Sequence, residues 1–238
     1  MAITPALKDW LIEAGVPAER VGVLRNGASP DQFAPRPRDE ALAARLGLNG
    51  AFVVAYVGSV APYEGVGDII AAVAEARRRS GRNIRFLLVG DGRASEEVER
   101  IAADLGAEAF MTATGRVPHH EIAAYYSIAD VVALARHDIP VCRIISPLKP
   151  LEALSMAKYV ISTDVPAIRD ILEPAQGDGL VPPGSVEAYA DAIIHAAENA
   201  GGLAERGRRS RDWIVANRDW STLARAALNE AEAAFGAA

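Results

Sequence analysis

Short apolar runs alternate with helix-patterned stretches along most of this chain. The run Phe52–Val57 ends at Gly58, and apolar residues then recur at helical spacing from Val66 to Val73. Strands are predicted over residues 52–57, 84–89, 110–114, 130–135, 159–163 and 179–181, and helices near 95–105, 120–128, 167–172, 185–199, 202–217 and 221–235. Such alternation with short connections predicts an α/β fold, a Rossmann-like parallel sheet with helices on both faces.

The 238 residues provide ample chain for a buried core. No shift in composition, low-complexity tract or internal repeat divides them. We therefore expect one Rossmann-like domain over residues 1–220, followed by a C-terminal helix within residues 221–238.

Composition argues against several classes of function. A net charge of −6 disfavours a nucleic acid or another polyanion as the main partner. No apolar run approaches the length of a bilayer span, so at most peripheral association with a membrane is expected. The single cysteine, Cys142, rules out a disulfide framework within the chain. Because the N-terminus also lacks a signal pattern, we expect a cytoplasmic protein.

Residues 146–154 carry the most specific chemical pattern. They read Ser-Pro-Leu-Lys-Pro-Leu-Glu-Ala-Leu, which places a lysine, a helix start and a glutamate within one turn, just before a predicted strand. Unpaired backbone N–H groups and the positive dipole end of a helix favour a phosphate there. Glu152 is suited to accept hydrogen bonds from sugar hydroxyls, as the acidic residue of a nucleotide-binding fold does from a ribose. A phosphate beside a ribose indicates a nucleotide ligand.

The loops at the carboxyl ends of the strands form the expected ligand edge of the sheet. Three of them contain glycine, and the fourth spans residues 136–149; the glycine loops are Gly58-Ser59-Val60, Gly90-Asp91-Gly92 and Gly115-Arg116-Val117. Glycine ends many strands for steric reasons alone. Glycines at three strand ends, together with Lys149 and Glu152 at a fourth, favour a binding site. His137, in the same edge, has two open interpretations, a donor contact or a surface position.

These motifs, in this order, resemble the C-terminal, donor-binding half of the retaining GT-B glycosyltransferases of family 4. The resemblance runs over nearly the whole chain, beginning with Val21–Gly27 and Phe33, which are similar to the strand and Asn-Gly turn that lead into this half. It continues through residues 56–59 with 65–66, then 89–92, 115–118, 129–131, 146–153 and 162–164. The motif at 146–152, preceded by Arg136 and Arg143, is most similar to the subgroup associated with exopolysaccharide and exosortase loci.

The resemblance implies a nucleoside-diphosphate-sugar site and no metal or other cofactor. By position, Glu152 would hold the ribose hydroxyls, and backbone groups of Arg116 and Val117 would meet the base. Gly58 and Ser59 would approach the diphosphate. Pro147 and Leu148, directly before the helix, complete the expected donor-binding residues.

The chain departs from the family pattern at several of these positions. Ile144 stands where the first glutamate of the family's paired-glutamate motif is expected, and Ser59 and Glu64 stand where two basic residues usually neutralise the diphosphate. The glycines expected after Met156 and Asp164 are replaced by Ala157 and by Pro166-Ala167. Two phosphates in a crevice still need positive charge.

Three cations near the same strand ends are candidates to supply that charge. We expect Lys149, Arg143 and Arg136, with the helix N-terminus near Pro150, to stabilise the diphosphate leaving group electrostatically. They are therefore the candidate catalytic residues.

Only 25 residues precede the Asn26-Gly27 turn, far fewer than a typical acceptor domain needs. We therefore expect a saccharide or lipid-linked acceptor to bind an N-terminal domain that this chain lacks. The chain alone should then be inactive, and its last helix should cross onto the missing domain. The rival interpretation is a non-catalytic nucleotide-sugar-binding or scaffold module, which Ile144, Ser59 and Glu64 favour.

Overall fold

A computed structural model of the chain describes residues 1–235, including the side chains of residues 1–229. Six strands form one sheet in the order β3-β2-β1-β4-β5-β6, and every neighbouring pair is parallel. The strands are β1 Phe52–Val57, β2 Ile84–Val89, β3 Met111–Ala113, β4 Val131–Leu134, β5 Tyr159–Thr163 and β6 Leu180–Val181. The predicted α/β, Rossmann-like fold is confirmed.

Helices surround this sheet and connect its strands. The α-helices are α1 Pro5–Glu13, α2 Glu40–Arg45, α3 Val66–Ser80, α4 Ser95–Asp104, α5 Ile122–Ile128, α6 Pro140–Ile144, α7 Lys149–Ser155, α8 Pro166–Gln176, α9 Val186–Glu198, α10 Ala200–Asn217 and α11 Trp220–Phe235. Short 3-10 helices cover Ala18–Arg20, Pro62–Glu64, Ala107–Ala109 and His119–Glu121. No helix within residues 1–235 is both long enough and apolar enough to cross a membrane.

The core lies on both sides of the central strands. Residues Val53 to Val57 of β1 are all buried, as the continuous apolar run predicts for a parallel strand in the middle of a sheet. Helix α3 packs against α4 and α9, whereas α10 packs against α7 and α8. Because the sheet is held from both sides, the carboxyl ends of its strands are fixed relative to one another.

The prediction of a strand near residues 21–27 is wrong. Val23 forms only an isolated bridge with Ala2, in which the Ala2 N–H donates to the Gly22 carbonyl and the Leu24 N–H donates to the Ala2 carbonyl. A strand needs a longer partner than the first residues of the chain offer here. The expected helix 221–235 is present as α11, whereas residues 236–238 of the predicted C-terminal segment lie outside the described residues. The boundary at residue 220 stays a prediction.

Candidate functional site

The ends of β1, β2 and β3 meet around a small cavity. The Gly58 N–H donates to the Val89 carbonyl at 2.9 Å, and the Gly90 N–H donates to the Gly115 carbonyl at 2.9 Å. These bonds hold the three glycine loops side by side. A cavity of about 140 Å³ opens between them, lined by Val57, Gly58, Ser59, Val89, Gly90, Asp91, Arg116, Val117 and Ile122. The structure thus brings together four of the predicted donor-binding residues.

The polar groups on this cavity are mostly exposed. The Arg116 side chain is 85% exposed and lies 3.6 Å from the Asp91 carboxylate. An exposed pair of this kind adds little stability, so both side chains are available to a ligand.

A second site element is the carboxylate of Glu152, in the first turn of α7. The Tyr126 hydroxyl donates to Glu152 Oε2 at 3.3 Å. Burial raises the pKa of Glu152, against the lowering effect of that hydrogen bond and of the nearby His119 and Lys149. Burial also raises the pKa of Tyr126 well above its usual range, so the phenol stays a neutral donor. Tyr126 engages one carboxylate oxygen, and the other is left for a ligand hydroxyl.

The loop before α7 is anchored from the start of the chain. Three backbone carbonyls of this loop are held: the Thr4 hydroxyl donates to Ile144 at 2.6 Å, the Arg136 guanidinium donates to Ile145 at 2.8 Å, and the Asn26 amide donates to Ser146 at 2.8 Å. Pro147 and Leu148 follow directly, and the Leu148 carbonyl accepts the Glu152 N–H at 3.0 Å. Thr4 and the amide of Asn26 therefore hold the loop before α7 in position, a role that sequence patterns do not reveal because the partners are more than a hundred residues apart.

Two of the three expected cations converge on one carboxylate. Lys149 Nζ lies 3.1 Å from Glu64 Oε1, and Arg136 Nε lies 3.7 Å from the same oxygen. The side chains of Glu64 and Arg136 are 6% and 4% exposed. We call this group the Lys149–Glu64–Arg136 cluster. Glu64 stands where the family pattern has a basic residue. In the structure it pairs with two of the expected cations, Lys149 and Arg136.

Lys149 reaches Glu64 by crossing the end of β1. A Cβ on Gly58 would lie 2.2 Å from Lys149 Cε, so only glycine leaves room for the lysine side chain at this position. The ammonium lies 5.6 Å from the centre of the Tyr56 ring, a cation–π distance. The glycine and the lysine that the sequence assigned to separate loops are thus in direct contact.

Arg143 does not join this cluster. It forms two hydrogen bonds to the Asp138 carboxylate, at 2.5 and 2.8 Å, and its side chain is 54% exposed. Its charge is balanced locally. His137 has a similar local partner, because its Nε2 lies 3.2 Å from Asp68 Oδ2 at the start of α3.

Ala157 lies away from the ligand edge, between the end of α7 and the start of β5. Its φ is 55°, the left-handed conformation in which its N–H donates to the Leu154 carbonyl and ends the helix. The replacement of a glycine there therefore bears on the helix end rather than on the ligand edge of the sheet. Pro166, by contrast, begins α8 just after β5 and does lie at the carboxyl edge.

No group of three His, Cys, Asp or Glu side chains in the described part of the chain is arranged to hold a metal ion. A larger cavity, of about 380 Å³, lies between the first residues and helices α8, α10 and α11. None of the predicted site residues lines it.

Comparison with known proteins gives a family profile and relatives that match this chain. The family profile described as Glycosyl transferases group 1 matches residues 51–199, more than half of the chain. This region contains all six strands and all of the predicted site residues.

Two curated relatives and one solved structure illustrate the match. The chain is 33% identical over 184 residues to an alpha-D-kanosaminyltransferase of Streptomyces kanamyceticus, which covers 76% of this chain and 46% of the relative. It is 28% identical to a GDP-mannose-dependent alpha-mannosyltransferase of Mycobacterium tuberculosis, over 99% of this chain and 57% of the relative. The structure of Anabaena HepE in complex with UDP and glucose superposes with a TM-score of 0.85 at 21% identity, over 98% of this chain and 62% of HepE. The chain spans about half the length of the curated relatives it matches.

Proposed function

The chain belongs to the group 1 glycosyl transferases, and we propose that it is the donor-binding half of a retaining GT-B enzyme of this group. More finely, we assign it to family 4 and to the subgroup associated with exopolysaccharide and exosortase loci. In this proposal it acts in the cytoplasm on a nucleoside-diphosphate sugar, and not on a nucleic acid. The acceptor is a saccharide or a lipid-linked acceptor held by a second domain.

One observation carries the proposal: the glycine-lined cavity, the carboxylate of Glu152 and the ammonium of Lys149 lie along a single edge of the sheet. The cavity beside Arg116 and Val117 is suited to a base, and Glu152 is suited to the ribose hydroxyls. Lys149 lies directly over Gly58, at the same edge. A ligand that matches all three carries a base, a ribose and a diphosphate.

The chemistry of transfer would then be electrostatic. As the bond between the sugar and the diphosphate breaks, negative charge grows on the leaving phosphate. Positive groups held in place beforehand lower the barrier, because they need not reorganise during the reaction. Lys149 is the best placed of the three cations, and Arg136 contributes its charge from a buried position. Arg143 is the weakest candidate because Asp138 neutralises its charge. Alone, the chain should bind the donor and transfer nothing.

Calorimetry with UDP and GDP tests this assignment, since the relatives above use or contain those nucleotides. We expect at least one of them to bind. Lys149→Ala should weaken that binding by about 1.5–3 kcal/mol, the range for a hydrogen bond to a charged group. Binding of uridine or guanosine should be unchanged. Arg209→Ala, which removes one exposed positive charge from α10, is the control. Equal losses for nucleoside and diphosphate would remove Lys149 from the phosphate site.

A non-catalytic nucleotide-sugar-binding module is the second candidate, and Ile144 favours it. Its apolar side chain cannot hydrogen-bond a sugar hydroxyl, although its carbonyl is anchored by Thr4. Ile144→Glu separates the two functions. If the site is a degenerate one, the new carboxylate should raise the affinity for UDP-glucose or GDP-mannose relative to the matching diphosphate. An active site that has adapted to Ile144 should lose affinity for the sugar instead.

A further inference from the structure

Glu64 is a buried carboxylate placed where the bound ligand is expected to be an anion. Its Oε1 faces both Lys149 and Arg136, whereas its Oε2 is buried without a hydrogen-bond partner among the described residues. Arg136 Nε, although it is 3.7 Å from Glu64 Oε1, likewise has no hydrogen-bond partner there. Buried polar atoms are normally satisfied, so an oxygen and an N–H without hydrogen-bond partners in one cluster call for an explanation.

The backbone fixes Glu64 in this position. It ends the 3-10 helix Pro62–Glu64, and Gly65 follows with a φ of 63°. A Cβ at Gly65 would lie 1.9 Å from the Ala135 carbonyl oxygen, so the turn is pressed against the end of β4, next to Arg136. Glu64 is therefore built into the cluster rather than folded in from a mobile surface position.

The charges of the cluster do not cancel. Two cations and one carboxylate leave a net charge of about +1, in surroundings where charge interactions are stronger than in water. The neighbouring Tyr56 adds no charge, because burial and the nearness of Glu64 raise the pKa of its phenol far above neutrality. Its hydroxyl instead donates to the Ser59 carbonyl at 2.7 Å.

We propose that Glu64 is the internal counter-ion of the diphosphate site and that it sets the affinity of this site for diphosphates. The inference rests on the proposed function, which places a diphosphate over Lys149. In the free protein, the carboxylate neutralises part of the positive charge that the diphosphate requires. A ligand must share Lys149 with Glu64 and bear the repulsion of its charge. Glu64 thereby lowers the affinity of the site for anions. It favours ligands that carry more negative charge than a single carboxylate group does.

Removal of this charge should tighten diphosphate binding. At fixed ionic strength, Glu64→Gln should bind UDP or GDP about tenfold more tightly than the wild-type chain, a modest value for a close charge pair. Uridine and guanosine should bind equally to both. Glu75→Gln makes the same change in net charge on the outer face of α3, where Glu75 pairs with Arg78, and should have no effect. If Glu64→Gln alone does not fold, the same charge can be removed in a chain that already carries Lys149→Met. The double variant Glu64→Gln with Lys149→Met should bind UDP or GDP more tightly than Lys149→Met alone.

The outcomes separate this inference from the proposed function. If neither the wild-type chain nor Glu64→Gln binds a diphosphate, the proposed function fails and the inference fails with it. If only Glu64→Gln binds, both stand, because removal of the counter-ion then reveals the site. If the wild-type chain binds a diphosphate and Glu64→Gln binds it equally or more weakly, the proposed function stands. The role of Glu64 as a counter-ion is then wrong. Weaker binding would make Glu64 the residue that holds Lys149 in place.

Discussion

At the scale of single residues, the binding role proposed for Glu152 comes with a cost in stability. Burial raises the pKa of its carboxyl above the ordinary value of 4.5, so the folded chain holds that proton more tightly than the unfolded chain does. Ionisation of Glu152 therefore costs stability as the pH rises above 4.5. A carboxylate kept at this cost is expected to act on a ligand.

Replacement of Glu152 by Gln tests whether ionisation of this carboxyl lowers the stability of the folded chain. The amide does not ionise and its oxygen still accepts from Tyr126. Glu152→Gln should therefore raise the melting temperature of the ligand-free chain at pH 7.5, and the difference should vanish near pH 4. Differential scanning calorimetry at the two pH values measures it. A lower melting temperature at pH 7.5 would mean that the carboxylate mainly stabilises its own helix.

The same variant tests the ribose contact. Wild-type chain should prefer a ribonucleoside diphosphate over its 2′-deoxy form by about 1–3 kcal/mol, because a buried acceptor left unpaired loses roughly that much. The preference should shrink in Glu152→Gln, as measured by titration calorimetry. Undiminished discrimination in the variant would require another residue to hold the ribose.

At the scale of elements, close backbone approach fixes how helices meet the sheet. Gly207 of α10 packs on the turn at Ala157, where an added Cβ would lie 1.8 Å from the carbonyl oxygen. This contact ties α10 to the end of α7, the helix that carries Lys149 and Glu152.

Two glycine variants of α10 therefore have opposite expected effects. Gly207→Ala should destabilise the chain by about 1–3 kcal/mol, because overpacking costs more than helix propensity returns. Gly202→Ala, in the same helix but with no atom within 4 Å of an added Cβ, should be neutral or stabilise by up to about 1 kcal/mol. Urea unfolding of both variants measures the difference. Equal stabilities would mean that α10 shifts freely on α7.

The elements differ in how far the sequence predicts them. Strands β1, β2 and β5 have the predicted bounds because each is a mostly apolar run that is almost entirely buried. The short helix α6 was not predicted, since five residues give no helical period. The cluster around Glu64 escaped prediction for another reason. Glu64 lies 72 positions before Arg136 and 85 before Lys149, and only the fold brings it to them. The glycine loops could be found because each follows a predicted strand.

At the scale of the whole molecule, one ion cluster joins the two ends of the chain. Asp170 of α8 accepts hydrogen bonds from Arg25 at 3.1 Å and from the buried Arg218 at 2.8 Å. Arg218 directly follows α10 and lies two residues before α11, and Arg25 lies beside the Asn26 that anchors the loop before α7. The start of the chain is thereby linked both to the C-terminal helices and to the site.

The central claim is that a nucleoside diphosphate binds at the carboxyl edge of this sheet. A crystal structure of the chain with UDP or GDP, whichever binds in calorimetry, tests it most directly. We expect the ribose hydroxyls within hydrogen-bond distance of Glu152 and the phosphates at Lys149, with the base in the cavity beside Arg116 and Val117. A nucleotide bound elsewhere, such as in the larger cavity beside Arg25 and Trp213, would contradict the account.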